Sequence, residues 1–118
     1  MKVDILGTKY TIIKKDYQDD EAFERRNIDG YCDDALKEIV VLNLATAPAF
    51  SNESKKYITQ LEKETLRHEV IHAFLSESGL QDSASRFEGA WSKNEEMIDW
   101  IAIQFQKIVK VFEEVGCI

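Results

Sequence analysis

Apolar and β-branched residues gather in short runs over the first third of the chain and recur every three or four positions over its second half, so strands are expected before helices. Residues 3–15 read V-D-I-L-G-T-K-Y-T-I-I-K-K, rich in β-branched and aromatic types and broken at Gly7-Thr8, which predicts a β-hairpin. Residues 16–26 are acidic and predict loop or a short helix. Gly30-Tyr31-Cys32-Asp33, a polar turn and then residues 38–44 predict a second strand pair. Residues 51–53 offer capping chemistry for a helix that runs to Ser78, with Gly79 as its stop. In the second half of that helix Leu66, Val70, Ile71, Phe74 and Leu75 occupy nearly the whole circumference, the pattern of a buried central helix. Residues 81–90 predict a polar connection. Residues 92–115 predict a second helix, with Trp91, Ile98, Ala102, Phe105, Val109 and Phe112 on one core-facing stripe. The expected architecture is α+β: a small, mostly antiparallel N-terminal sheet followed by two long packed helices, in a single domain over residues 1–118.

Composition narrows the partners. The 118 residues are 44% hydrophobic, which suits one modest core, and 22 acidic against 15 basic side chains leave a net charge of -7. Such a surface repels phosphate backbones, so nucleic acid is not expected as a partner. No run reaches the roughly 18–20 apolar residues of a membrane span, and Met1-Lys2-Val3-Asp4 lacks a charged-then-apolar leader; a cytoplasmic protein without a membrane partner is expected. Cys32 and Cys117 lie far apart with no C-x-x-C pair, which indicates free thiols rather than a disulfide or a zinc ribbon.

The two histidines of the chain stand four apart with a glutamate after the first: His68-Glu69-Val70-Ile71-His72. Chance gives this arrangement in roughly 1 in 500 chains of the same composition. Residues at i and i+4 project from one helical face, so both imidazoles can reach one ion at about 2.0–2.1 Å while Glu69 addresses a water on that ion. The plainer alternative is a pair of helix histidines that are hydrogen-bonded or exposed. Burying both rings in so apolar a segment would cost several kcal/mol without partners, and a metal removes that cost. Catalytic zinc usually takes three side chains, so a third ligand is needed, acidic or a cysteine because no histidine remains. Glu95 is the candidate: it falls on the apolar stripe of the second helix, where a buried carboxylate needs a counter-charge. Glu96 points about 100° away and reads as a solvated charge, and Asp99 is placed to accept the second ring N–H of a ligating histidine.

His68-Glu69-Val70-Ile71-His72 followed by Glu95-x-x-x-Asp99 resembles the gluzincin class of zinc metallopeptidases. The compact build, with Asp99-Trp100-Ile101-Ala102 after the third ligand, is similar to ImmA/IrrE-type peptidases and to small phage- and prophage-encoded H-E-x-x-H proteins. The similarity covers residues 66–105; where the ImmA/IrrE pattern has Ala-Asn before its aromatic, this chain has Ile98-Asp99. The resemblance implies a minimal zincin-like fold, Zn2+ held by His68, His72 and Glu95, and Glu69 as general base.

The expected activity is therefore hydrolysis of a protein or peptide substrate, with Glu69 taking a proton from a zinc-activated water and passing it to the leaving amine. Tyr31 and Arg86 are candidate donors to the oxyanion, and the strand over residues 38–44, if it forms a free sheet edge, could hold an extended peptide. The alternative from another class is a zinc-retaining regulatory or protein-binding module with little or no peptidase activity. A metal-free helical interaction protein using Trp91, Trp100 and Phe105 is a third reading, against which such aromatics are more often core.

Overall fold

A computed structural model describes residues 1–80 and 95–118, apart from the side chains of Glu95, Ile98, Asp99 and Ala102. The expected connection over residues 81–90, Trp91 and the start of the second helix before residue 95 lie outside the described residues.

The order of elements is β1 (Lys2–Ile5), β2 (Thr8–Lys15), a 3-10 turn and α1 (Ala22–Arg26), β3 (Gly30–Asp33), β4 (Glu38–Leu42), two further 3-10 turns, α2 (Lys55–Glu77) and α3 (Glu95–Glu114). The architecture is α+β, as expected. β1 and β2 form the predicted hairpin, but its turn is Leu6-Gly7 rather than Gly7-Thr8. Both turn residues have positive φ, 52° and 94°, the mirror-image turn whose twist matches that of the strands it joins. Asp4 accepts the Gly7 N–H at 2.8 Å and helps to fix the bend. The β3–β4 turn is closed in the same manner, Asp33 accepting the N–H groups of Ala35 and Leu36.

The two hairpins join into one sheet in the order β1-β2-β4-β3, with β2 and β4 parallel and the other pairings antiparallel. The strand over residues 38–44 is therefore a core strand, and the condition of a free edge beside the helix is not met there. β4 is interior, and the edges are β1 and β3. The apolar run Ile39-Val40-Val41-Leu42, buried throughout, is what an interior strand covered on both faces requires.

One core cluster joins Val3, Ile5, Tyr10 and Ile39 of the sheet to Val70, Ala73 and Phe74 of α2 and Ile108 and Val111 of α3. A second holds Val40, Leu42, Phe23, Leu44 and Ala47, with Ile58 and Leu61 from the first half of α2 packed on it. Neighbours along β4 thus serve different clusters, as strand alternation dictates. α2 starts one residue after Ser54, whose hydroxyl accepts the Tyr57 N–H, so the cap lies just beyond residues 51–53. Leu66, Ile71 and Leu75 are half-buried and His68 and His72 exposed, so α2 is covered on one broad face rather than all round.

The apolar stripe of α3 is displaced from the expected one. Ile108 and Val111 are buried, whereas Phe105 is 57% exposed and Ile101 and Ile103 are also on the surface. The apolar face of this helix is broader than the surface it buries, so periodicity alone does not choose which part of it is packed. The choice is made by docking: Arg67 of α2 donates to the Cys117 carbonyl and fixes the C-terminal end of α3. Both cysteines are free. Among the described residues no helix is long and apolar enough to cross a membrane.

At the far end of α2, Glu77 accepts hydrogen bonds from Thr8 and Tyr10, each at 2.8 Å, and from Lys37. One carboxylate so ties both hairpins to the helix. The Lys37 contact, with Tyr10 and Thr8 behind it, holds the Glu77 carboxyl below its ordinary value of 4.5. A group lowered on folding adds stability that is present above its unfolded value and lost as pH falls through the folded one. Glu77→Gln should therefore lower unfolding free energy by about 1–3 kcal/mol at pH 7 and by much less at pH 3, read from urea midpoints; equal losses at both pH values would contradict this role.

Candidate metal centre

α2 carries His68, Glu69 and His72 within five residues, and helical pitch sorts them onto two sides. The histidines, one turn apart, are exposed, and their Nε2 atoms approach to 3.0 Å with ring centroids 4.8 Å apart. Glu69, turned about 100° from His68, is only 7% exposed. The ligand-capable atoms of the three lie within 4.8 Å of one another. The cost of burial, expected for the imidazoles, falls instead on the carboxylate.

The donor set fits a transition metal. Two nitrogens bound at about 2.0–2.1 Å to one tetrahedral ion stand about 3.3 Å apart, within a few tenths of an ångström of the separation here. His68, His72 and Glu69 are the group of this kind found among the described residues, and Cys32 is not part of it. The side chains of Glu95 and Asp99 lie outside the described residues. α3 nevertheless brings its first turn to the site, since Met97 lines the same cleft as both histidines. Glu96 is exposed, as expected of a solvated charge.

That cleft, of about 640 Å³, lies between α2 and the edge strand β3. Asp29 gives its carbonyl to Leu42 of β4, so by alternation Gly30 and Cys32 turn their backbone groups away from the sheet. The backbone N–H of Cys32 bonds the Glu69 carboxylate. Burial pushes the Glu69 carboxyl up, while the charges of His68, His72 and Arg26 and the Cys32 N–H pull the other way. The Cys32 thiol, half-buried beside Glu69, Asp34 and Asp33, is pushed up to about 12 and stays protonated at neutral pH.

Gly30 is a functional residue that sequence reasoning missed. A Cβ there would stand 2.6 Å from Thr65 Cγ2, 2.8 Å from the Val40 carbonyl oxygen and 3.4 Å from Glu69 Cγ. Nothing in a lone glycine announces this, because the requirement comes from a helix thirty-five residues away in the chain. Tyr31, a candidate oxyanion donor, is committed elsewhere: its hydroxyl donates to Asp20 at 2.7 Å and accepts from Lys15 at 3.2 Å. Arg86, the other candidate, lies outside the described residues.

Comparison with family models, with curated proteins and with solved structures gives no match for this chain.

Two predictions follow from the buried carboxylate and its glycine. Gly30→Ala should cost about 1–3 kcal/mol of stability, and Thr65→Ala should not restore it, because the Val40 carbonyl still blocks the methyl group; full rescue in denaturant unfolding would show the clash to be with Thr65 alone. Glu69, raised on folding by burial, withdraws stability as pH rises through the raised value. Metal-free Glu69→Gln should then melt above the wild type at pH 7.5 and level with it near pH 4; a lower melting point at pH 7.5 would contradict the burial cost.

Proposed function

We propose that the chain is a zinc-dependent peptidase. The observation that carries this reading is the convergence of the His68 and His72 Nε2 atoms to 3.0 Å on an exposed helical face, with the buried Glu69 carboxylate beside them. A purely structural metal site has no use for a carboxylate buried next to it at a cost in stability. His68 and His72 would hold the ion, with Glu95 of α3 as the third ligand, and when bound zinc would supply Lewis-acid polarisation of a carbonyl and a lowered pKa for water.

The remaining chemistry belongs to the protein. Glu69 acts as general base: its carboxylate takes a proton from the water whose oxygen bonds to the peptide carbonyl carbon, then delivers that proton to the nitrogen as the C–N bond breaks. The raised affinity of Glu69 for protons, caused by burial, suits a group that must accept one. Cys32 N–H steers the carboxylate, and Gly30 leaves it room. An extended peptide would lie along β3, the sheet edge that borders the cleft, in place of the strand over residues 38–44.

Purified protein should contain close to one zinc per chain by elemental analysis. His72→Ala should lose it, whereas Glu69→Gln should retain it and lose at least about 100-fold in cleavage of a peptide library. Zinc retention without cleavage by the wild type would favour the alternative of a regulatory or binding module, and equal activity in wild type and Glu69→Gln would remove Glu69 from the chemistry. Glu95→Ala should weaken zinc binding at least about tenfold and Glu96→Ala hardly at all; matched effects would exclude Glu95 as the third ligand.

A further inference from the structure

Arg26 is the last residue of α1. Asn27, with φ 50°, closes that helix in the left-handed conformation and turns the chain toward β3, which places Arg26 at the N-terminal end of the strand bordering the cleft. It lines the cleft together with His68, Glu69 and His72 and is exposed. Its neighbour Arg25 is engaged with Glu21 at 3.4 Å, whereas Arg26 has no hydrogen bond or ion pair among the described residues.

Among the described residues that line the cleft, Arg26 is the one permanent cation. At the other end of β3 stands Asp34, its carboxylate accepting the Ser76 hydroxyl at 3.1 Å. The two ends of the strand thus carry opposite charge, and a peptide lying along it meets a positive group at one end only. A guanidinium in that position offers paired donors in the geometry a carboxylate accepts, and the net negative surface elsewhere turns such a group away.

Resting on the peptidase reading, we propose that Arg26 is a specificity-determining residue that takes a carboxylate of the peptide, either an acidic side chain or the C-terminal group. The probes are short fluorescent peptides with Glu or Gln at each position in turn, made both as C-terminal acid and as amide. Cleavage is measured with the zinc-loaded wild type, and binding by fluorescence anisotropy with zinc-loaded Glu69→Gln, which does not consume the peptide. At one position Glu should be preferred over Gln by about three- to tenfold, or the free acid over the amide by the same factor, which separates the two sources of the carboxylate. Arg26→Gln should abolish the preference, Arg26→Lys should keep part of it, and Arg26→Glu should reverse it toward Lys-containing peptides. Cleavage that ignores both contrasts, or a preference that survives Arg26→Gln, overturns the role of Arg26 and leaves the peptidase reading standing. Absence of zinc-dependent cleavage of every peptide by the wild type overturns the peptidase reading, and the specificity role with it.

Discussion

The Glu69 side chain fits between α2 and β3 because residue 30 has no side chain of its own. Thr65, Glu69 and the Val40 carbonyl all crowd the place where a Cβ would stand, so the helix and the edge strand can approach this closely at a glycine and hardly anywhere else. Once that approach is made, the rest of the site is fixed by helical geometry. Glu69 is held inward against Cys32, and residues 68 and 72, on the adjacent face, are left in the open with their ring nitrogens converging. A helix lifted off β3 by one methyl group would keep the histidine pair and lose the seat of the carboxylate.

The same helix is secured at places well away from the cleft. Glu77 binds groups from both hairpins at its C-terminal end, Glu62 accepts the Leu44 N–H and the Lys14 ammonium nearer its start, and Arg67 reaches the end of α3. Tyr31, on the strand beside the cleft, is anchored through Asp20 and Lys15; its hydroxyl, with the Lys15 ammonium, holds the Asp20 carboxyl down at about 2. Apart from the exposed Lys14 ammonium, these polar contacts are partly buried, so they specify orientation in places where apolar packing alone would allow sliding. The candidate ligands therefore stand on an element with little freedom to shift, the condition under which two imidazoles keep a common focus.

Local pattern carried the elements and the histidine pair, and it failed wherever the answer depended on a distant partner. The hairpins, the long helix and the H-E-x-x-H face could be read because each is set by residues within one or two turns of one another. The strand order could not: β4 reads as a strand whether it lies inside the sheet or at its edge, and only its parallel pairing with β2 decides. The packed face of α3 was misplaced because Phe105 and Ile101 share one broad apolar face with Ile108 and Val111, and periodicity does not choose within it. Tyr31 looked like a free hydroxyl because nothing near it in the chain reveals Asp20 as its acceptor. At the site itself, the convergence of the two histidines on one helical face was legible from the spacing, but the burial of Glu69 in place of the imidazoles and the glycine that permits it were not.

The parallel contact between β2 and β4 also bears on how the chain reaches this form. Each hairpin closes over a short loop, but pairing Thr11 with Glu38 joins segments far apart in sequence, with α1 and β3 between them. The entropy of bringing such ends together grows with the length enclosed, so the two ribbons can assemble early and separately while their union waits for a surface that rewards it. α2 is that surface, since its residues sit in both apolar clusters. The histidine-bearing segment is thus also the mandrel on which two independent halves are laid side by side, and its chemistry cannot exist before the sheet is whole.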